Sequence, residues 1–169
     1  KTGYSFQNWS GINTGISVDG AVFKANANDT LTANWTNNQY TYTVEYYYMN
    51  TDGTYNEEPS ETATFTGKYG DVIVASSTGE GESAVTATEA IQKPKKNYTN
   101  DAEPKGITGY QNSITLTEEN QILKIYYKTG SYTITYKYTI PGEASETVDT
   151  KEYNFGATIE ELDKPQKSG

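Results

Sequence analysis

Three residue types are missing from this chain: cysteine, histidine and arginine, all 13 of its basic residues being lysine. Each absence removes a class of chemistry. Without His or Cys there is no Ser-His-Asp triad, no cysteine nucleophile, no disulfide framework and no typical zinc site. Without Arg there is no bidentate clamp for phosphate. No apolar run approaches the roughly 20 residues that span a bilayer, and no signal peptide stands at the front. The sequence thus reads as a soluble fragment without membrane insertion, any export signal or anchor lying outside it. A net charge of −9 argues against nucleic acid, whose phosphates are gripped by clustered Lys and Arg. Zero cysteine suits an exported bacterial surface protein, as it suits many cytosolic ones. A paired-carboxylate glycosidase needs two acids facing one bond. The 22 acidic residues are scattered and read instead as a solvated surface, so no catalytic residue is nominated and no enzyme is expected.

What the chain has is tyrosine, 16 of them in 169 residues, with abundant Thr and Val. These residues fit pleated, half-buried surfaces, so the bias favours strands. Strict alternation appears twice. In YTYTVEYYYM, Tyr40, Tyr42, Val44, Tyr46 and Tyr48 share one face. In SYTITYKYTI, Tyr132, Ile134, Tyr136, Tyr138 and Ile140 do the same. Period two over this length indicates a strand with one buried face, so Tyr42, Tyr46, Tyr136 and Tyr138 are assigned to core packing rather than to a sugar-stacking platform. Tyr47 and Tyr126 lie opposite their strands' apolar sets and are the candidate exposed, ligand-contacting aromatics.

The two alternating strands share a lead-in. Leu31, Trp35 and Tyr40 have the same spacing as Leu123, Tyr127 and Tyr132. In each case a strand ends, a short polar link follows, and a Tyr-Thr-x-Thr strand begins. Module junctions therefore fall near Asn38 and Thr129, with linkers too short to be floppy. This divides the chain into residues 1–38, 39–129 and 130–169.

The middle part reads as a complete unit. Its first strand runs into a turn at Asp52-Gly53 and returns near Glu61–Thr66. DVIVA, a helix signal at 83–93 that Pro94 stops, and strands at NSITLT and QILKIYYK follow. That element order is the order of a β-grasp (ubiquitin-like) fold, so the expected class is mainly β or α+β, in tandem β-grasp modules. Residues 76–107, rich in Gly, Pro, Lys and Asn, are expected as a surface insertion that tolerates deletion. Asn50, Asp52, Asn56, Glu57 and Glu58 crowd the first hairpin. They lack the alternating ligands of a calcium loop, and turn chemistry explains them better, so no metal site is assigned.

From Ser131 onward the chain repeats the opening of such a unit. Strands at 131–140 and about 146–155 lead to a short helix at 158–164, where Thr158 and Glu161 form a capping box and Ile159 and Leu162 face inward. The front holds what the back lacks: GYSFQNW and AVFKANANDTLTANWT, two aromatic strands without an opening hairpin. Lys167-Ser168-Gly169 aligns with Lys1-Thr2-Gly3, which makes the chain one period of a longer pattern.

The front resembles the closing half of an internalin-type B repeat, through Lys1, Gly3, Tyr4, Phe6, Trp9, Leu31, Ala33 and Trp35. The back resembles the opening half, through Tyr153, Gly156, Pro165, Lys167 and Gly169. The middle is similar to a mucin-binding-type (MucBP-like) repeat, through Asp52-Gly53, the loop Thr66–Asp71, Gly109-Tyr110 and Tyr126-Tyr127-Lys128. The resemblance implies tandem modules of large bacterial surface proteins: stalks, spacers and adhesive segments, cell-wall attached, that need no cofactor. Two functions follow from it. One is a structural repeat of an extracellular stalk, adhesin or filament. The other is an adhesin module that binds host or neighbour glycoprotein or glycan.

A split module must be completed by a partner, because an isolated hairpin is marginal in water. The expected partner is a neighbouring copy, joined head to tail, covalently in a tandem array or by strand complementation between chains. The residues assigned to that contact are Tyr4, Phe6, Trp9, Leu31 and Trp35 at the front and Ile134, Tyr136 and Phe155 at the back.

Overall fold

The computed structural model describes residues 1–11, 16–19, 22–25, 28, 30–139, 141–142 and 144–159. The described residues are mainly β, with twelve strands and two 3-10 turns. The Thr158–Glu161 capping box, Leu162, Pro165 and the closing Lys-Ser-Gly lie wholly or partly outside them.

The centre is a four-stranded sheet in the order β6-β5-β10-β8, formed by β5 (Gln39–Tyr48), β6 (Glu61–Lys68), β8 (Tyr98–Asn100) and β10 (Gln121–Thr129). Strand β5 meets β6 as an antiparallel hairpin and β10 in parallel, with Val44 opposite Leu123 and Tyr48 opposite Tyr127. The even positions of β5 and the odd positions of β10 therefore share one face. Tyr42, Val44, Tyr46, Tyr48, Leu123, Ile125 and Tyr127 are all buried there, as period two required.

What covers that face differs from the sequence reading. Residues 83–93 do not form an α-helix but two separate 3-10 turns, Gly81–Ser83 and Glu89–Ile91. Part of the reason is intrinsic. The stretch is short, and Val85, Thr86 and Thr88 are β-branched, so an isolated helix here is marginal. The rest lies in the core. A tyrosine core buries hydroxyls that need partners, and an α-helix would have its interior carbonyls and amides already paired. The irregular segment leaves them available. Tyr46 donates to the Ile91 carbonyl at 2.8 Å, Tyr48 donates to the Lys93 carbonyl at 2.7 Å, and the Lys93 amide donates to the Tyr127 hydroxyl at 2.7 Å.

The same contacts correct the expectation that 76–107 is a dispensable surface insertion. Ile91 is 1% exposed and belongs to the core, Ser76 and Asp101 are buried, and β8 pairs with β10 along Tyr98–Asn100. The Gly, Pro, Lys and Asn residues mark turns between short anchored pieces, not one solvated loop.

Two smaller pairs complete the central part and its approach: β7 (Val72–Val74) with β9 (Ser113–Thr115), and β2 (Ile16–Asp19) with β3 (Val22–Ala25). At the front, β1 (Tyr4–Ser10) pairs antiparallel with β4 (Thr32–Asn37). The stretch 21–36, expected as a single strand, thus carries two, β3 and β4, separated by an Asn- and Asp-rich run of low strand propensity. At the back, β11 (Ser131–Tyr138) pairs antiparallel with β12 (Glu146–Asn154).

Both junctions are docked. Gly3 is buried under the Tyr69 ring, and the Asn38 amide donates to the Gly3 carbonyl at 2.9 Å while the Tyr69 amide donates to Asn38. At Gly3 φ is +74°, and a Cβ there would stand 2.2 Å from the Tyr69 ring. Gly3→Ala is therefore expected to cost about 1–2 kcal/mol in backbone strain alone. It should lower the thermal midpoint by several degrees, read by circular dichroism, at about 2–4 °C per kcal/mol for a chain of this size. At the other junction the Asn154 side chain donates to the Thr51 carbonyl at 3.1 Å.

Tyr69 follows Lys68, which pairs with the first residue of β5, whereas Thr51 lies in the turn just beyond Tyr48, the last residue of β5. The front and back pairs are thus anchored at opposite ends of a ten-residue strand. At about 3.3 Å per residue that separates the anchors by roughly 30 Å. The parallel pairing of β5 with β10 is the cause, since it makes the chain enter at one end of the sheet and leave at the other.

Candidate assembly surfaces

The front pair carries an aromatic cluster. Phe6 and Trp9 are three apart, so simple alternation would put them on opposite faces. A bulge at Gln7 shifts the register between Phe6 and Asn8, which turns Phe6 and Trp9 to the same side, opposite Trp35 and Ala33. The Phe6 ring lies 5.7 Å from Trp9 and 5.6 Å from Trp35. These rings remain open to solvent: Phe6 and Trp35 are each 45% exposed and Trp9 is 42%. Tyr4 is apart from them, packed edge-on against Tyr69 at 5.5 Å as part of the docked junction. Leu31 is half-buried just before β4.

The back pair is the counterpart. Ile134, Tyr136 and Tyr138 are half-buried and alternate with exposed neighbours, and Tyr132 and Phe155 are exposed. The Tyr136 and Tyr153 hydroxyls are 2.9 Å apart, and Tyr138 donates to Glu146. A bulge at Val148 leaves that valine exposed. Ile140 lies outside the described residues. The residues assigned to assembly therefore fall into two groups, Phe6, Trp9 and Trp35 in one sheet and Ile134 and Tyr136 in another, and no strand pairing joins those sheets among the described residues.

The shared lead-in makes the exposure informative. Trp35 occupies in β4 the place that Tyr127 occupies in β10, and Leu31 the place of Leu123. Tyr127 is 0% exposed and Leu123 1%, because β5 and the 89–93 segment cover them. Trp35 in β4 has no such cover among the described residues, and Leu31, just before β4, is half-buried.

Tyr47 and Tyr126 are not exposed aromatics. Each is 3% exposed, and their rings stack at 4.7 Å. Tyr55 and Tyr110 pack edge-on against Tyr126 at 4.9 and 5.4 Å, and Tyr55 donates to Asp101 at 2.8 Å. The sheet is covered on both faces, so lying opposite the apolar set does not mean facing water. Sequence reasoning missed this second tyrosine layer because Tyr55, Asp101 and Tyr110 stand in turns with no periodicity. Beside it a cleft of about 300 Å³ is lined by Ile107, Tyr110, Ile114, Ile122, Lys124 and Tyr126, with Glu45 3.6 Å from Lys124.

Burial holds these hydroxyls neutral. Desolvation, then the neighbouring Tyr127 and Glu61, pushes Tyr46 up to about 12, and desolvation with acceptor carboxylates raises Tyr47, Tyr48 and Tyr55 further. An unfolded chain ionises tyrosine near ~10, so above that pH the unfolded state binds fewer protons than the folded one. The stability tied to these groups is full below about pH 10 and is lost as pH rises through the folded values. Titration by tyrosinate absorbance alongside circular dichroism should show the buried set ionising together with unfolding, above pH 10. A smooth, independent titration of all tyrosines near ~10 would contradict that burial.

No three carboxylates converge as a metal would require among the described residues, and no helix there is long and apolar enough to cross a membrane. No family model matches this chain, and no curated protein or solved structure is similar enough to count as a match.

Proposed function

We propose that this chain is a structural repeat unit of an extracellular bacterial surface stalk or filament, whose copies join head to tail by completing split β-grasp modules. The observation that carries it is the contrast at matched positions: Tyr127, fully buried in the central sheet, against Trp35, 45% exposed in the front one. Three exposed aromatic rings on one small sheet are an interaction surface rather than isolated surface residues. The order β6-β5-β10-β8, with the first and last strands parallel, is that expected of a β-grasp module, the 89–93 segment standing in the helix's place. The front pair has the antiparallel geometry of β8 with β10, and the back pair that of β5 with β6. Together they contain one further module.

Front and back are unlike surfaces at opposite ends, so their union does not close as a dimer but continues. Sedimentation velocity over a concentration series should reveal a ladder of growing species, and two copies joined in one polypeptide should gain a folded module at their junction. A fixed symmetric dimer, or a monomer at every concentration, is the result that opposes this reading.

The cleft beside Tyr126 favours a second reading, an adhesin module that seats a glycan or glycoprotein segment. Its volume is at the lower end of small-molecule sites, and it combines an apolar floor with one ion pair. A glycan array separates the two, because a pure spacer gives no selective signal.

A further inference from the structure

Resting on that reading, we infer that copies join by one specific strand addition: β11 of one copy pairs in parallel with β4 of the next, with Lys137 opposite Thr32. The central sheet supplies the template. There β5 and β10 run parallel, with Glu45 opposite Lys124, Val44 opposite Leu123 and Tyr46 opposite Ile125. The common lead-in sets β11 in register with β5 and β4 with β10, Tyr132 standing for Tyr40 and Leu31 for Leu123. Carrying the pairing across puts Tyr136 opposite Leu31, Lys137 opposite Thr32 and Tyr138 opposite Ala33. The product is a sheet in the order β12-β11-β4-β1, strand for strand the order of β6-β5-β10-β8.

Three observations favour a second copy as the occupant. Among the described residues β4 pairs only with β1, and β11 only with β12, so each has one edge without a strand. Neither β1 nor β4 contains a charged residue or proline, the usual guards of an exposed strand edge. The register also places Leu31, Ala33 and Trp35 on the same face as Ile134, Tyr136 and Tyr138, which joins the two aromatic surfaces into one. Thr30 and Leu31 lie outside any strand in the single chain. In this register they extend β4 towards its N-terminal side.

The chain has no cysteine, which makes disulfide trapping a clean test. Lys137 and Thr32 are both exposed and lie on the face away from the aromatic cluster, so substituting them leaves that surface intact. Directly opposed strand residues fall within the Cα separation a disulfide allows, whereas a two-residue slip does not. K137C chains mixed with T32C chains under mild oxidation should form a heterodimer on a non-reducing gel. T135C mixed with T32C should not, and neither should any single variant alone. Cross-linking of T135C with T32C, or none at either pair while light scattering still reports growing assemblies, overturns this register and leaves head-to-tail joining standing. Absence of both cross-links and assembly overturns the joining itself. Homodimers of K137C alone would indicate a symmetric contact and contradict both.

Discussion

Replacing Ile91 by alanine is expected to lower the midpoint of thermal unfolding by roughly 10 °C. Truncating a buried isoleucine costs about 2–5 kcal/mol, because the cavity collapses only partly. Each kcal/mol moves the midpoint of a chain of this size by about 2–4 °C. The reason to expect the upper part of that range is what Ile91 holds in place. It anchors the segment whose backbone receives the hydroxyls of Tyr46 and Tyr48 and donates to that of Tyr127. If the segment lifts, those hydroxyls are left without partners in an apolar core, and each costs about 1–3 kcal/mol. Removing residues 89–100 altogether also removes β8 from the edge of β10, and cooperative unfolding of the central module should vanish. A melting curve within a few degrees of the parent after either change would mean that the segment is peripheral.

Trp35→Ser is expected to weaken self-association by about 70-fold while leaving the single chain folded. With 45% of its surface exposed, Trp35 has about 100 Å² left to bury, worth about 2.5 kcal/mol on joining. Its neighbour Phe6 loses a ring contact, but the central core loses nothing, because β4 contributes no side chain to it. Sedimentation velocity should therefore show the concentration for assembly rising by that factor, with the chain's circular dichroism unchanged. Unaltered assembly would place the contact elsewhere. Net charge of −9 makes copies repel, so both proteins should be compared at physiological salt or above, where that repulsion is screened.

Several elements were legible because period two is a strong signal. The long strands β5 and β11 lie where alternation puts them, β10 and β12 lie within a few residues of the strands expected from the order of elements, and the buried face of β5 is the predicted one. The shared spacing of Leu31, Trp35 and Tyr40 with Leu123, Tyr127 and Tyr132 is matched by strand breaks at both places, between β4 and β5 and between β10 and β11. Other features were not legible, for identifiable reasons. Residues 89–93 look like a helix because Ala, Glu, Ile and Gln tolerate one, but the tyrosine hydroxyls opposite need carbonyls that a helix would withhold. Tyr47 and Tyr126 look exposed because alternation identifies two faces, not what lies over each. The turn residues Tyr55 and Tyr110 that cover them come from distant stretches. The side to which Trp9 points depends on the bulge at Gln7, which no periodicity announces.

Both tryptophans of the chain, Trp9 and Trp35, lie on the front sheet and are partly open to water. Intrinsic fluorescence therefore reports on the proposed contact alone. With rising protein concentration the tryptophan emission should move to shorter wavelength, as the back half of one copy closes over the front half of the next. An emission maximum that stays fixed from dilute to concentrated solution would contradict head-to-tail completion.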